Sequence, residues 1–405
     1  MAIVDMGGTS TQHSQHTGRW HASIGTVLTD GTIITLVASD LQFLRFRYST
    51  DEGSTWTDCA TQVNVQTNSS YYHTITSDEF DYLYVGYYDP ATGQLAISAY
   101  TFSGTNVVLQ DSEIMGAEGT TIPSSMVAVD NPTRSGDHTH VAIAYRTSGT
   151  QGRMRVVDYN RDTDAFDSSS DALVVDETIY SRTISLLMEN TVTDSRVAAA
   201  PSSPVGAVIF HTSSTSLRGI PLSWDGSSHL WQEASAINET VTTAASTSGT
   251  AVYDPTIDRI VAVGGESATV GYCVTGDMPL TAWTARTDIG YASGATKQLS
   301  LGVTTDGLGG VRVNHMENDD TANIDLGEHV WVEGTPAFGS ETVVSAVESH
   351  EDNTGAVRVS AWSPGGHFAG FIWISDAATQ ARLYYNWTDA AAGGALQSGW
   401  GFIPI

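Results

Sequence analysis

Seven short apolar runs recur along the chain with starts 50 to 65 residues apart: IITLVAS from Ile33, LYVGYYD from Leu83, VAIAYRT from Val141, GAVIFHT from Gly206, IVAVGGE from Ile260, GVRVNHM from Gly310 and AGFIWIS from Ala369. They are rich in β-branched and aromatic residues and of strand length, so they read as extended segments. A partner run follows each within a few residues, in order FLRFRYS, QLAISAY, RMRVVDY, LRGIPLS, TVGYCVT, ANIDLGE and RLYYNWT. Most are also preceded by a strand-like segment ending in a turn, such as HASIGTVLTDG, MVAVDNP, TAVYDPTID, LSLGVTTDG and RVSAWSPGG. No long window shows a 3.6-residue apolar period, and helices are not expected.

A unit of several short strands cannot bury both of its faces alone. Repeated at this spacing, it does so by stacking on its neighbours around an axis, which is a β-propeller. The expected fold is all-β, a single propeller over residues 19–405 with four-stranded blades at about 19–62, 70–112, 123–176, 182–236, 245–290, 297–345 and 355–405. Seven blades is the first count. Six is the alternative, because the fourth unit holds the loop TVTDSRVAAAPSSP. Residues 1–18 read as an N-terminal arm, in which AIVDM either adds to blade seven or leaves for a partner; WGFIPI at the C-terminus is expected to complete that blade.

Composition limits the setting. The 405 residues carry 45 Asp and Glu against 17 Lys and Arg, a net charge of −28, and Lys297 is the single lysine. Such charge destabilises a compact chain unless salt screens it, with a Debye length of about 3 Å at 1 M. The acids are dispersed through almost every loop, which resembles proteins of halophiles, and non-specific binding to nucleic acid phosphates is disfavoured. No apolar run approaches the roughly 20 residues of a membrane span. The N-terminus lacks the basic start and apolar stretch of a secretory signal, so a virion or cytoplasmic location in high salt is expected. Cys59 and Cys273 have no C-x-x-C partner and read as free, buried thiols.

One segment is specific. YSTDEGSTW follows the third strand of the first unit, and Ser49, Asp51, Gly53, Thr55 and Trp56 fill the pattern S-x-D-x-G-x-T-W. Asp can accept backbone N–H bonds, Gly permits the turn, and Trp caps the blade. Degenerate copies fall in register at SWDGSSHLW, with Asp225 and Trp231, at TGDMPLTAW, with Asp277 and Trp283, and at YNRDTDAF from Tyr159. The chain here resembles the Asp-box (BNR-repeat) propellers, the superfamily of sialidases and several polysaccharide-acting or polysaccharide-binding proteins. The resemblance implies that the boxes join third and fourth strands opposite the ligand face, which makes Asp51 structural. Asp158, Asn160, Asp162 and Asp164 have the alternate spacing of a calcium loop, but Thr163 and Ser169 replace the Gly and Glu of that pattern. No cofactor is therefore expected, with calcium as the alternative at those four residues.

The resemblance places ligands at the channel mouth, lined by loops between blades and after second strands. Those positions hold Arg19, Trp20, His21, Tyr72, His73, Asp89, Arg146, His211, Glu266, His315 and Glu317. A sialidase needs three carboxylate-clamping arginines, for which only Arg19, Arg146 and Arg182 stand as candidates, and the R-I-P segment is missing. In the polysaccharide lyases of similar architecture, His and Tyr move the proton and Arg neutralises the uronate; His21, His73, Tyr145 and Arg146 are the candidates for those roles. Each mouth histidine also reads as a hydrogen-bonded channel residue without catalytic work. Three functions stay open: a non-catalytic propeller binding a cell-surface glycan or glycoprotein, plausible on a virion surface or tail with other virion proteins at the arm; a glycan-active lyase or glycoside hydrolase; and a scaffold. The charge pattern predicts a melting temperature that climbs as salt is raised from low to molar concentration, and calorimetry returning equal values across that range overturns the high-salt reading.

Overall fold

The computed structural model describes residues 2–5, 25–38, 43–51, 55–64, 73–89, 91–116, 121–130, 137–147, 150–179, 184–189, 205–225, 230–241, 250–254, 257–265, 270–290, 301–305, 311–318, 323–332, 337–338, 342–348, 369–377 and 380–388. Strand β1 is Ala2–Asp5. The first sheet holds β2 (Gly25–Val27), β3 (Ile33–Ala38), β4 (Phe43–Ser49) and β5 (Thr57–Asn64). The second holds β6 (His73–Ser77), β7 (Tyr82–Asp89), β8 (Gln94–Phe102) and β9 (Val107–Met115). The third holds β10 (Thr121–Asp130), β11 (His138–Thr147), β12 (Gln151–Asn160) and β13 (Ala165–Thr178). The fourth holds β14 (Ser185–Glu189), β15 (Val205–Ser213), β16 (Ser216–Asp225), β17 (Leu230–Glu233) and β18 (Ile237–Thr240). The fifth holds β19 (Thr250–Asp254), β20 (Arg259–Gly265), β21 (Val270–Gly276) and β22 (Thr287–Gly290). The sixth holds β23 (Leu301–Thr305), β24 (Val311–Asn318), β25 (Asn323–Val332), β26 (Ala337–Phe338) and β27 (Thr342–Glu348). The last pairs β28 (Ala369–Ala377) with β29 (Gln380–Thr388).

The seven apolar runs are β3, β7, β11, β15, β20, β24 and β28, and their partner runs are the strands that follow. Within each of the first six sheets, consecutive strands pair as antiparallel neighbours. In the fourth and sixth, the outermost position is split between two short strands, β17 with β18 beside β16, and β26 with β27 beside β25. In the last sheet β1 lies on the free side of β29, from Ala2 opposite Trp387 to Asp5 opposite Tyr384. Part of the expected arm is thus a strand, and both ends of the chain contribute to one sheet. The first strands β2, β6, β10, β14, β19 and β23 contact one another in chain order. The chain is a β-propeller.

Side-chain alternation explains why the second strands lack a polar face. On β7, Leu83 and Val85 pack with Ile34, Leu36 and Phe46 of the first sheet, and the intervening Tyr84 packs with Ile143, Tyr145 and Val157 of the third. On β11, Val141, Ile143 and Tyr145 face the second sheet, and Ala142 and Ala144 face the fourth. On β20, Ile260 and Ala262 face the fourth sheet, and Val261 and Val263 the sixth. With a period of two and a neighbour on each side, the central positions of these strands are buried on both faces, and each large side chain there contributes roughly 1.5–3 kcal/mol. Contact is close enough at Gly86 that a Cβ there would lie 2.6 Å from Met126 Cε.

Turns between third and fourth strands add a second link between sheets. Val107, just past the turn in the second sheet, joins Phe46 and Cys59 of the first, and Phe166 in the third packs edge-on to Tyr84 of the second. Trp231 in the fourth sheet donates its indole N–H to His140 Nδ1 of the third at 3.0 Å, and Trp283 after β21 donates to the Ile237 carbonyl of the fourth at 3.2 Å. Trp231 and Trp283 thus bond back to the preceding sheet, and Trp231 also packs edge-on to Trp224 of its own. Replacing Trp231 with Ala should cost about 3–5 kcal/mol, with a large-to-small cavity as the main cause. Trp231→Phe, which keeps an aromatic ring and loses the bond to His140, should cost less, on the order of 1 kcal/mol plus the smaller ring; urea unfolding of both variants checks the order.

Candidate functional site

Antiparallel pairing sends the turns between first and second and between third and fourth strands to one end of the propeller. Hairpins between second and third strands, and connections between sheets, go to the other. The YSTDEGSTW turn joins β4 to β5 and lies at the first of these ends. Asp51 Oδ1 accepts from Ser49 Oγ at 2.8 Å and from the Thr55 amide at 2.8 Å, and Oδ2 accepts from Thr55 Oγ1 at 2.7 Å. Partial desolvation pushes the Asp51 carboxyl upward, but the bonds from Thr55 and Ser49 outweigh it and hold the group below the ordinary carboxylate range. Gly53 lies outside the described residues, and Trp56 is half-buried. The degenerate copies are held otherwise: Asp225 accepts from Gln232 Nε2 at 2.9 Å, and Asp277 pairs with Arg259.

The four calcium-spaced residues are engaged separately. Asp158 Oδ2 bonds His138 Nδ1 at 2.8 Å, Asn160 Oδ1 accepts the amides of Asp162 and Thr163, and Asp164 Oδ1 accepts the Tyr82 hydroxyl at 3.0 Å. Asp162 is exposed. Among the described residues no group of three or more His, Cys, Asp or Glu is placed to hold a metal ion.

Of the residues expected at the mouth, Arg19, Trp20, His21, Tyr72, Arg182 and Glu266 lie outside the described residues. His315 and Glu317 lie on β24, opposite Gly327 and Asp325. His73 begins β6, is fully buried, and its Nε2 bonds the Leu36 carbonyl of the first sheet at 2.9 Å. Tyr145 is fully buried on β11, and its hydroxyl accepts from Arg155 Nε at 3.2 Å. Arg146, next on the strand, is half-buried and engaged. His211 on β15 bonds the Tyr272 hydroxyl of the fifth sheet through Nε2, edge-on to its ring. Asp89 closes its own hairpin, accepting from the Ala91 and Thr92 amides and from Thr92 Oγ1 at 2.7 Å. Of the four candidates for proton transfer and charge neutralisation, His21 lies outside the described residues, His73 bonds a backbone carbonyl of the first sheet, Tyr145 bonds Arg155, and Arg146 is engaged.

Two buried polar networks had no sequence signal beyond residue type. Asp78, after β6, accepts from the Phe80 and Tyr82 amides at 3.0 and 2.9 Å, from Tyr84 at 2.9 Å, and from Thr139 of the third sheet at 2.8 Å. Arg161 lies 3.9 Å from Asp78 Oδ2 and bonds Thr139, with its guanidinium carbon 3.7 Å from the Phe80 ring centroid. Burial drives the Asp78 carboxyl up despite these donors and Arg161. In the second network His140 Nε2 lies 3.8 Å from Asp158 Oδ1, and its Nδ1 accepts a hydrogen bond from the Trp231 indole N–H. That bond requires an unprotonated Nδ1. Both networks join neighbouring sheets at the turn end.

No protein-family model and no curated protein matches the chain. Among solved structures, an ulvan lyase, a polysaccharide lyase, aligns over 91% of this chain and 94% of its own at 8% identity, with a TM-score of 0.51. A fucose-recognising lectin of Aleuria aurantia, described as a six-bladed β-propeller, aligns over 83% of this chain and 97% of its own at 11% identity, with a TM-score of 0.48. At these identities the likeness is one of fold.

His211 offers a measurable consequence of burial. Desolvation pushes its imidazole down to about 4, against roughly 6.5 for an exposed histidine. Above about pH 6.5 both folded and unfolded forms are neutral at this group. Between about 6.5 and 4 the unfolded chain binds the extra proton, so stability falls with pH, by on the order of 3 kcal/mol in total. His211→Gln removes that titration, and urea midpoints of the variant should fall less than those of the native chain across the same interval.

Proposed function

We propose that this chain is a carbohydrate-binding propeller of the Asp-box superfamily that acts without catalysis, recognising a cell-surface glycan or glycoprotein at the end opposite the Ser49–Trp56 turn. The observation that carries the reading is the engagement of the described groups best suited to proton transfer. His73 is bonded to a backbone carbonyl, His211 to Tyr272, and Tyr145 to Arg155, and all three are buried between strands. A general base must reach the proton it removes; these three bond neighbouring strands instead. Mouth loops set on a rigid propeller suit recognition, because packed sheets leave the loops between them to vary.

The charge of −28 with a single lysine supports a high-salt setting. A virion surface or tail protein meeting a host surface glycoprotein is the role that joins these features, with the N-terminal segment beyond β1 facing other virion proteins.

Incubating the protein with a glycan array in molar salt tests the reading. Retention of one glycan class without new reducing ends or unsaturated uronate absorbance is the expected result. Steady release of products, abolished in an Arg146→Ala variant, would establish the enzyme instead.

A further inference from the structure

We infer that the joint between the third and fourth sheets is a proton-sensitive latch, in which a proton taken up by His140 turns its ring to Asp158, breaks its bond to Trp231 and loosens the turn end of the joint. His138 and His140 stand two apart on β11, so both imidazoles lie on the face of the third sheet that packs on the fourth, together with Ala142 and Ala144. Asp158 is directly across from His140 on β12. Its two oxygens divide the pair: Oδ2 is 2.8 Å from His138 Nδ1, and Oδ1 is 3.8 Å from His140 Nε2.

The other ring nitrogen of His140 serves the fourth sheet, accepting from Trp231 Nε1 at 3.0 Å. An indole nitrogen only donates, so the bond exists while Nδ1 carries a lone pair. A neutral imidazole has one N–H, and the bond leaves it on Nε2, toward Asp158. A second proton must therefore enter at Nδ1, the atom the indole occupies. Two N–H groups would then face each other, and the buried Trp231 would lose its acceptor. The carboxylate of Asp158 favours the charged ring, so the proton moves His140 from a bond between sheets to a pair within its own sheet. The His140 ring also packs on Trp224 at 4.8 Å between centroids, and Trp224 on Trp231 at 5.8 Å, so a shift of one ring passes to the next.

The remaining groups around His140 are apolar or committed elsewhere. On β10 the residue opposite is Val129. On β13, Asp167 lies opposite Asp158, with its Oδ1 taking the Ser169 amide and hydroxyl. On β16 and β17 the facing side chains are the two indoles; Asp225 beside Trp224 accepts from Gln232, and Glu233, farther along β17, lies beside Glu177 and Asp176. Among the described residues, Asp158 is thus the carboxylate placed to hold a charged His140, and it shares that task with His138. Imidazoles are the side chains that ordinarily change charge between about pH 5 and 8.

The full chain carrying ¹⁵N-labelled tryptophan would be followed by NMR from about pH 8 to about pH 5, with the Trp231 indole resonance assigned by its absence from Trp231→Phe. The expected result is a hydrogen-bonded, downfield indole proton at the upper end that moves upfield through a single midpoint as pH falls. His140→Gln supplies an amide oxygen in place of Nδ1 and does not titrate, so its Trp231 resonance should hold one position throughout. Asp158→Asn removes the carboxylate that favours the charged ring and should move the midpoint to lower pH, and His138→Gln should leave the change in place. A Trp231 resonance that stays fixed in the native chain, or one that still moves in His140→Gln, overturns the latch. Histidine ring signals of the native chain give a reading that needs no substituted histidine: if none shares the midpoint of the indole, the latch is overturned as well.

Discussion

Everything else in this fold depends on burial of both faces of each sheet. A strand carries side chains on two sides, and in β7, β11 and β20 the two sets enter different clusters, one shared with the preceding sheet and one with the following sheet. No sheet can be removed without exposing faces on two others. Tyr84 and Tyr159, both fully buried in the cluster between the second and third sheets, show the scale: their rings meet edge-on with centroids 5.5 Å apart. Such aromatic pairs add about 0.5–1.5 kcal/mol beyond the area they bury.

Polar side chains then set the angle at which sheets meet. Apolar stacking is non-directional; the bonds between sheets are not. Thr26 meets Ser77, Asp81 takes both the amide and hydroxyl of Thr29, Ser124 bonds the backbone of Ile184, and Ser185 takes the amide of Ala251. Each crosses from one sheet to the next, and most lie at first strands, where the neighbouring sheets approach most closely. Loss of one partner leaves a buried polar group unsatisfied, which costs more than the bond itself contributes.

The second and third strands were legible in the sequence because two-sided burial makes their apolar runs nearly unbroken. Other strands carried less signal. β2 has three residues, β17 and β18 divide one strand's work, and β1 pairs with a segment almost four hundred positions away, which no local pattern announces. Histidine roles were not legible for the same reason. His73, His140 and His211 look alike as residues, and their work is decided by partners 37, 91 and 61 positions distant. The acidic turn at Asp51 was readable, because its partners lie within four residues.

Locality also explains the acidic turns. At the turn end, carboxylates face inward to the chain's own donors: Asp30 holds the Thr32 amide, Asp78 a set of four donors, Asp254 the Ile257 amide, and Asp258 the Tyr253 hydroxyl and the Met278 amide. Asp81, Asp164 and Asp258 adopt positive φ there, a conformation that Asp tolerates better than most residues with a side chain. A carboxylate with its lone pairs committed within its own turn is poorly placed to meet a ligand, however acidic the surface looks. Acidity at that end is therefore a consequence of turn construction, and Asp89, in a hairpin between second and third strands, is committed in the same way to the Ala91 and Thr92 amides.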